Sequence, residues 1–373
     1  MRLEWAGAAA FLTWAYLLLG RSRFWAVKKP AALLAPMERP AASIAAVIPA
    51  RNEAAGVAQA LRSLAAQKYR GDFHIVLVDD ASEDGTAEIA RASVPPERLT
   101  VLRSEPLPTG WTGKLWAVAQ GVAEANRYAP DYLLLTDADI VHSPGALELL
   151  AGEAAGGYDL VSWMVTLRCE SLAERALMPA FVFFFFMLYP PAWIANPRYR
   201  TAGAAGGCML VRRTALERIG GIARIRGELI DDCALARAIK QSGGRVRLEL
   251  NPWARSIRDY PSFGEVFRMI SRTAYTELRY SPWRLAAAVL GLALTFFVPP
   301  VATLLGSRFG LAAWLLSCLG YAPMLRYYKR SMLWAPLLPL VAGFYLAGTL
   351  HSAWSWRRGT GGMWKGRAQA RVT

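Results

Sequence analysis

The sequence predicts an α/β domain built on a parallel, doubly wound sheet and held between hydrophobic ends. Three observations carry this. Short apolar runs of strand length alternate with segments of helical spacing between residues 43 and 135. Polar, acid-rich clusters directly follow three of those runs. Four nearly uncharged stretches, 3–20, 285–306, 309–324 and 333–353, flank a middle of mixed charge over 43–259.

Along the chain, residues 3–20 come first. A cleaved signal peptide would end in small residues, whereas Arg21, Ser22, Arg23 and Phe24 stand there, so 1–22 reads as an uncleaved membrane anchor. The basic residues Arg21, Arg23, Lys28 and Lys29 then place the following domain in the cytoplasm by the positive-inside rule. A linker punctuated by Pro30, Pro36 and Pro40 leads into a strand at 43–48, which Pro49 is expected to end. Val57, Leu61 and Leu64 recur at helical spacing, with Asn52 the expected N-cap and Glu53 in the favourable first turn. A strand at 74–78 runs into Asp79 and Asp80, and Thr86 is expected to cap the next helix. Residues 99–102 and 132–135 read as further strands.

Downstream, residues 176–197 carry Phe181, four consecutive phenylalanines at 183–186 and Trp193, broken by Pro179, Pro190 and Pro191. That is too interrupted for a span and fits an interfacial segment, either a platform for a lipid acceptor or a membrane dock. Residues 203–211 form a glycine-rich loop entering a strand, and 229–235 open a helix that Gly243 and Gly244 would end. The last hydrophobic stretches, within 283–353, read as transmembrane or re-entrant helices, followed by a basic tail over 354–373. If all three cross with the domain inside, the tail ends outside, against the charge rule. Pro299 and Pro300, or Pro336 and Pro339, mark where a re-entrant segment could return it.

The formal charge of +15 is largely juxtamembrane: Arg326, Lys329 and Arg330 lie between hydrophobic stretches, and Arg357, Arg358, Lys365, Arg367 and Arg371 lie in the tail. Such clusters meet anionic headgroups, and no recognition helix or zinc-finger spacing accompanies them, so nucleic acid is the weaker partner. Cys169, Cys208, Cys233 and Cys318 include no C-x-x-C pair, and His74, His142 and His351 have no ligand spacing. Buried, reduced thiols are the simplest reading.

In a doubly wound sheet ligands bind beyond the carboxyl ends of the strands, which is where Arg51, Asn52 and Glu53, Asp79 and Asp80, and Thr136, Asp137 and Asp139 fall. Asp137 and Asp139, two apart on an extended backbone, place two carboxylates on one side, suited to a hard cation bridging to a diphosphate. Taken alone, such a pair is more often a turn former. A carboxylate at Asp79 or Asp80 can accept hydrogen bonds from a base or ribose, and Lys114 after Gly113 can approach a phosphate, though most such lysines are solvated. Asp231 and Asp232 precede a helix, where an N-cap is the commoner role and a general base the functional one.

The order of these segments is more specific than any one of them. The succession VIPARNE (47–53), VDDAS (78–82), GK (113–114), TDAD (136–139), GGCMLV (206–211) and DDCAL (231–235) resembles family 2 glycosyltransferases with the GT-A fold, over residues 43–275. The resemblance implies a Rossmann-like, nucleotide-sugar-binding domain. Pro49, Arg51 and Glu53 would line its nucleotide pocket, with Asp80 on the base and Lys114 near the donor. Asp137 and Asp139 would be the D-x-D pair that holds Mg²⁺ or Mn²⁺, Asp139 the more direct ligand. Asp232, or its neighbour Asp231 since the family's E-D reads DD here, would be the base of an inverting displacement. The Q-x-x-R-W string of processive synthases is absent. FRMISR (267–272) lies in about its place, so Arg268 or Arg272 would bind diphosphate instead. Within the superfamily, the N-terminal anchor, WTGK (111–114) and the three C-terminal stretches look most like the hopanoid-biosynthesis-associated glycosyltransferases of bacteria, with ceramide and carotenoid glycosyltransferases sharing the plan. The implied partners are a UDP-sugar, a lipid acceptor and the inner membrane.

Other classes fit less well. A membrane scaffold would not need acidic groups after three strands. A NAD-dependent oxidoreductase would need G-x-G-x-x-G after the first strand, and a serine hydrolase G-x-S-x-G; neither is present.

Overall fold

The computed structural model describes residues 2–27 and 41–360, and the backbone of 363–364 and 367–368, which pair antiparallel. The linker prolines Pro30, Pro36 and Pro40, the basic Lys28 and Lys29, and the tail side chains of Lys365, Arg367 and Arg371 lie outside the described residues. The chain divides into a helical unit (within 1–28, 169–192 and 259–362) and a sheet unit (within 29–168, 193–258 and 363–373). Elements are labelled in chain order.

In the sheet unit, β1 (Ile44–Ala50), β2 (Phe73–Asp79), β3 (Leu99–Arg103), β4 (Tyr132–Thr136), β5 (Ile140–His142), β6 (Leu160–Thr166), β7 (Cys208–Arg212) and β8 (Val246–Ser256) form one sheet in the order β3-β2-β1-β4-β7-β6-β8-β5. The expected parallel arrangement holds for the four strands from which it was read and is corrected beyond them. β3, β2, β1 and β4 are mutually parallel, but β7 runs antiparallel to both β4 and β6, and β5 antiparallel to β8. The glycine-rich loop that enters β7 delivers that strand in the reverse direction between β4 and β6, where a βαβ crossover would have kept it parallel.

Every residue of β1 is buried, as befits a central strand covered on both faces. Pro49 does not end it. The strand continues to Ala50 because the β1–β4 pairing stops at Val47, so the missing N–H of Pro49 costs no bond there. The helices are α2 (Val57–Ala65), α3 (Thr86–Ser93), α4 (Gly113–Ala125), α5 (Ala146–Ala155), α8 (Arg213–Arg218) and α9 (Asp231–Gln241). Val57, Leu61 and Leu64 of α2 are at most 1% exposed, each burial being worth about 1.5–3 kcal/mol. α4 lies close on β1 and β2, and Gly121 permits it: a Cβ there would stand 2.5 Å from Val47 Cγ1.

Two expected caps are also corrected. The residue before α2 is Gly56, while Asn52 sits at φ 50° and its Oδ1 accepts from Glu83 N, a turn role that asparagine's tolerance of left-handed backbone allows. The residue before α3 is Gly85. Thr86 is the first helical residue, and its hydroxyl accepts from Glu53 N, tying the loops after β1 and β2 together.

The helical unit contains α1 (Arg2–Ala15), α6 (Leu172–Leu188), α10 (Phe263–Glu277), α11 (Pro282–Leu292), α12 (Val298–Leu304), α13 (Arg308–Tyr327) and α14 (Leu338–Arg357); α7 (Pro191–Ala195) is where the chain passes to the sheet unit. Residues 176–188, expected to be interrupted, belong to the continuous α6. Ser171 and Glu174 close a capping box at its start, and burial of Phe183 and Phe186 carries it through Pro179. Phe184 packs edge-on against Phe296 and Tyr345.

Among the described residues, three helical segments are long and apolar enough to cross a membrane: Pro282–Leu304, Arg308–Tyr327 and Met332–Arg357. At about 1.5 Å per residue each reaches about 30 Å or more, the thickness of a bilayer core. Leu290, Leu304, Leu319, Leu333 and Leu340 are exposed on them. The first segment turns through a π-helix at Ala293–Phe297, just before Pro299 and Pro300. Pro299 has no N–H to give the carbonyl of Thr295, and the indole Nε1 of Trp14 donates to that carbonyl instead, at 2.7 Å. α1, prolonged by a π-turn to Gly20, is thereby fastened to the C-terminal helices, helped by Ser307 Oγ donating to Glu4 at 2.8 Å.

Candidate active site

Because β2, β1 and β4 are parallel neighbours, their carboxyl ends emerge on one edge. After β1, the Arg51 guanidinium donates to the Asp80 carbonyl and lies 3.8 Å from its carboxylate, and Asp80 itself is buried. Asp79 is buried too and its Oδ2 accepts from Ser82 N, so this acidic pair is not the solvated turn that sequence alone allows.

After β4, Asp137, Ala138 and Asp139 form a tight turn closed by Ile140 N donating to Asp137 O at 3.2 Å. The extended geometry expected there is corrected: the chain reverses at once into β5. Beside this turn, Thr112 caps α4, its hydroxyl accepting from Leu115 N, which places Lys114 in the first turn of the helix. The Lys114 Nζ lies 3.0 Å from Asp137 Oδ1 and 3.1 Å from Asp231 Oδ2. Burial works against its charge, but the two carboxylates outweigh it and hold the ammonium protonated far into the alkaline range. Burial, with repulsion from Asp139 and Asp231, in turn raises the pKa of Asp137 against the pull of Lys114.

Asp231 and Asp232 are the first residues of α9; Ile230 precedes them, so neither is the N-cap. Asp232 Oδ2 accepts from Gly206 N at 2.8 Å and Oδ1 from Cys233 N at 2.7 Å. Burial first, and then the charge of Asp231, push its pKa up to about 7, with Lys114 and the two N–H donors opposing. Pro49, Lys114, Thr136, Asp137, Gly206 and Asp231 line one crevice. Asp232, held beside it through Gly206, is a carboxylate poised near neutrality, with the chemistry of a general base.

Sequence reasoning missed two residues. Arg258, just past β8, donates from Nε to Asp139 Oδ2 at 2.6 Å and from Nη2 to Glu53 Oε1 at 2.7 Å. His142 is buried, and its Nε2 lies 3.1 Å from Thr136 Oγ1. That hydroxyl gives its one proton to Gly207 O at 2.7 Å, so the histidine must be the donor to it. The chain His142, Thr136, Gly207 joins the acidic turn to the glycine-rich loop. The only sequence signal for either residue was its type, a polar side chain at the edge of a strand.

Asp137 and Asp139 offer hard carboxylate oxygens that repel one another, a donor set that suits Mg²⁺ or Mn²⁺ sharing its shell with phosphate oxygens. Among the described residues no three His, Cys, Asp or Glu side chains converge as a metal cluster, so water or phosphate oxygens would complete the shell. Arg268 and Arg272 lie on α10 of the helical unit. Both are exposed, and Arg268 lies 3.8 Å from Glu265 on its own helix.

Residues 45–220 match the model of the family described as Glycosyl transferase family 2. These residues thus carry a domain of the glycosyltransferase type. The chain is 28% identical over 181 residues to an undecaprenyl-phosphate 4-deoxy-4-formamido-L-arabinose transferase of Pseudomonas fluorescens, covering 47% of this chain and 48% of that one. It is 32% identical over 134 residues to the transferase of the same name from Pseudomonas paraeruginosa, covering 35% and 38%. The chain thus spans about half the length, or less, of the curated relatives it matches. Among solved structures, the mannosyltransferase PcManGT from Pyrobaculum calidifontis, in complex with GDP-Man and Mn²⁺, superposes over 95% of this chain and 99% of its own with a TM-score of 0.55 at 20% identity. The shared fold is of the GT-A type.

Proposed function

We propose that this chain transfers a sugar from a nucleotide-sugar donor, a UDP-sugar first among them, to a membrane lipid, with inversion at the anomeric carbon. The observation that carries the reading is the crevice in which Lys114 joins Asp137 to Asp231 while Asp232, its pKa raised to about 7, stands beside them. In this reading Asp232 takes the proton of the acceptor hydroxyl as that oxygen attacks, and the Gly206 and Cys233 N–H groups hold its carboxylate in place. Lys114 turns from Asp137 toward the departing diphosphate. Arg51, Glu53 and Asp80 stand on the nucleotide side, with Pro49 shaping the wall. Asp137 and Asp139 would hold Mg²⁺ or Mn²⁺, which neutralises charge on the leaving diphosphate when bound.

The three apolar helices support an acceptor that stays in the bilayer, and α1, fastened to them through Trp14, supports a fourth, N-terminal anchor. The basic residues after α1 support a cytoplasmic domain at a bacterial inner membrane. The resemblance to hopanoid-associated transferases makes a hopanoid the first acceptor to try. The relatives' names make undecaprenyl phosphate the second.

The test is turnover of UDP-sugars and GDP-mannose by the full chain with Mn²⁺ or Mg²⁺ and each lipid, comparing wild type with Asp232→Asn and Asp139→Ala. A glycolipid formed by the wild type and by neither variant supports the reading, and mass spectrometry of it names the acceptor. Absence of turnover, together with no metal-dependent protection by UDP in a thermal melt, would point to a non-catalytic scaffold.

A further inference from the structure

A second cation stands against the acidic turn after β4, and the proposed chemistry does not use it. β5 and β8 pair antiparallel with Ile140 opposite Ser256, and Ile257 N donates to Asp139 O at 2.9 Å. This register sets Arg258 directly against the acidic turn, and Arg258 N is itself held by Ser256 Oγ at 3.3 Å. Its guanidinium then forks, Nε on Asp139 at 2.6 Å and Nη2 on Glu53 at 2.7 Å. Asp139 and Glu53 are mostly buried, with side chains 13% and 17% exposed, so these contacts are weakly screened. A planar fork spanning two carboxylates is a preorganised, always charged partner with which a solvated metal ion must compete for Asp139 Oδ2.

We propose that Arg258 is a resident counter-cation of Asp139 that keeps a bare divalent ion out of the site, so that metal binds together with the nucleotide diphosphate rather than before it. The inference rests on the donor-site reading above and adds an order of binding to it. A bare ion would find Asp139 engaged by Arg258 and Asp137 engaged by Lys114. A diphosphate brings its own oxygens to the ion and its own negative charge to Lys114 and Arg258, so the cations lose nothing by letting the carboxylates go. Arg258 is a positioning residue in this account, since it acts through Asp139.

The experiment measures Mn²⁺ binding directly, from the loss of the free-ion electron paramagnetic resonance signal. It uses the full chain in lipid nanodiscs, with no nucleotide and with UDP or GDP, for wild type, Arg258→Met and Arg258→Lys. Wild type should bind Mn²⁺ at least about tenfold more tightly with one of the nucleotides than alone, the scale on which a partner of a metal ligand commonly acts. Arg258→Met should bind Mn²⁺ alone about tenfold more tightly than wild type and so narrow that gap. Arg258→Lys, which keeps the charge but not the fork, should fall between them, and it carries the test if the methionine variant does not fold. Mn²⁺ alone binding to the variants no more tightly than to wild type overturns the proposal, because Arg258 would then be serving the metal ligand. No Mn²⁺ binding by any form with either nucleotide overturns the donor-site reading and this inference with it.

Discussion

If Asp232 is the base, protonating it should stop the reaction, and the structure says at what pH. Its pKa is raised from the ordinary 3.8 to about 7, chiefly by burial and then by the neighbouring Asp231 charge. At pH 5 a carboxyl titrating near 7 is ionised in about one molecule in a hundred, whereas an ordinary aspartate is ionised in more than about nine in ten. Since only the ionised form accepts a proton, kcat/KM should fall about tenfold per pH unit below 7, reaching about one hundredth of its plateau at pH 5. The limb belongs to the Asp231 and Asp232 pair, so Asp231→Asn, which removes the repelling charge, should move it to lower pH. Asp232→Asn should lose about 10²- to 10⁴-fold at the plateau. The assay is initial-rate consumption of the nucleotide sugar at subsaturating donor from pH 5 to 9, in nanodiscs, with lipid acceptor present. A rate level from pH 5 to 8, or an Asp232→Asn variant that keeps its activity, would refute the assignment.

Two further outcomes test the packing around the site and the bundle. Burial holds the pKa of His142 down to about 4, so between 6.5 and 4 the unfolded chain takes up a proton that the folded chain refuses. Its contribution to stability is complete above about pH 6.5 and lost as pH falls toward 4, on the order of 3 kcal/mol in all; His142→Asn should flatten the fall of melting temperature over that window, and an unchanged slope would contradict this. Trp14→Phe keeps the edge-on contact with Phe296 but removes the N–H that serves the Thr295 carbonyl. It should cost about 1–2 kcal/mol in denaturant titration of the protein in bicelles, and a cost indistinguishable from zero would mean the carbonyl finds another donor.

The sequence by itself determined the pieces whose cause is local. Apolar runs of strand length became β1, β2, β3 and β4 within a residue or two; for β1, β2 and β4, inside the sheet, side-chain burial on both faces leaves a continuous apolar signature. The acidic residues after β1, β2 and β4 were legible for the same reason: parallel strands must end on one edge. Three apolar helices were legible from length and composition. Caps and turns were read less well. Asn52 and Thr86 have the right chemistry to cap a helix, but here their side-chain bonds join the loops after β1 and β2. The direction of β7 was hidden too, since an antiparallel strand inside a mixed sheet has the same composition as a parallel one.

What only the tertiary structure decided is which charges meet. Arg258 reaches Asp139 across 119 residues and Glu53 across 205, and Trp14 reaches Thr295 across 281. Nothing periodic in the chain links such positions. Strand register sets the first two contacts, and a carbonyl left without its donor by Pro299 sets the third. The same holds for Asp232, whose ordinary carboxyl becomes a group titrating near neutrality only when folding buries it beside Asp231 and Gly206. A residue's type is written in the sequence, but its charge state and its partners are properties of the space it is folded into.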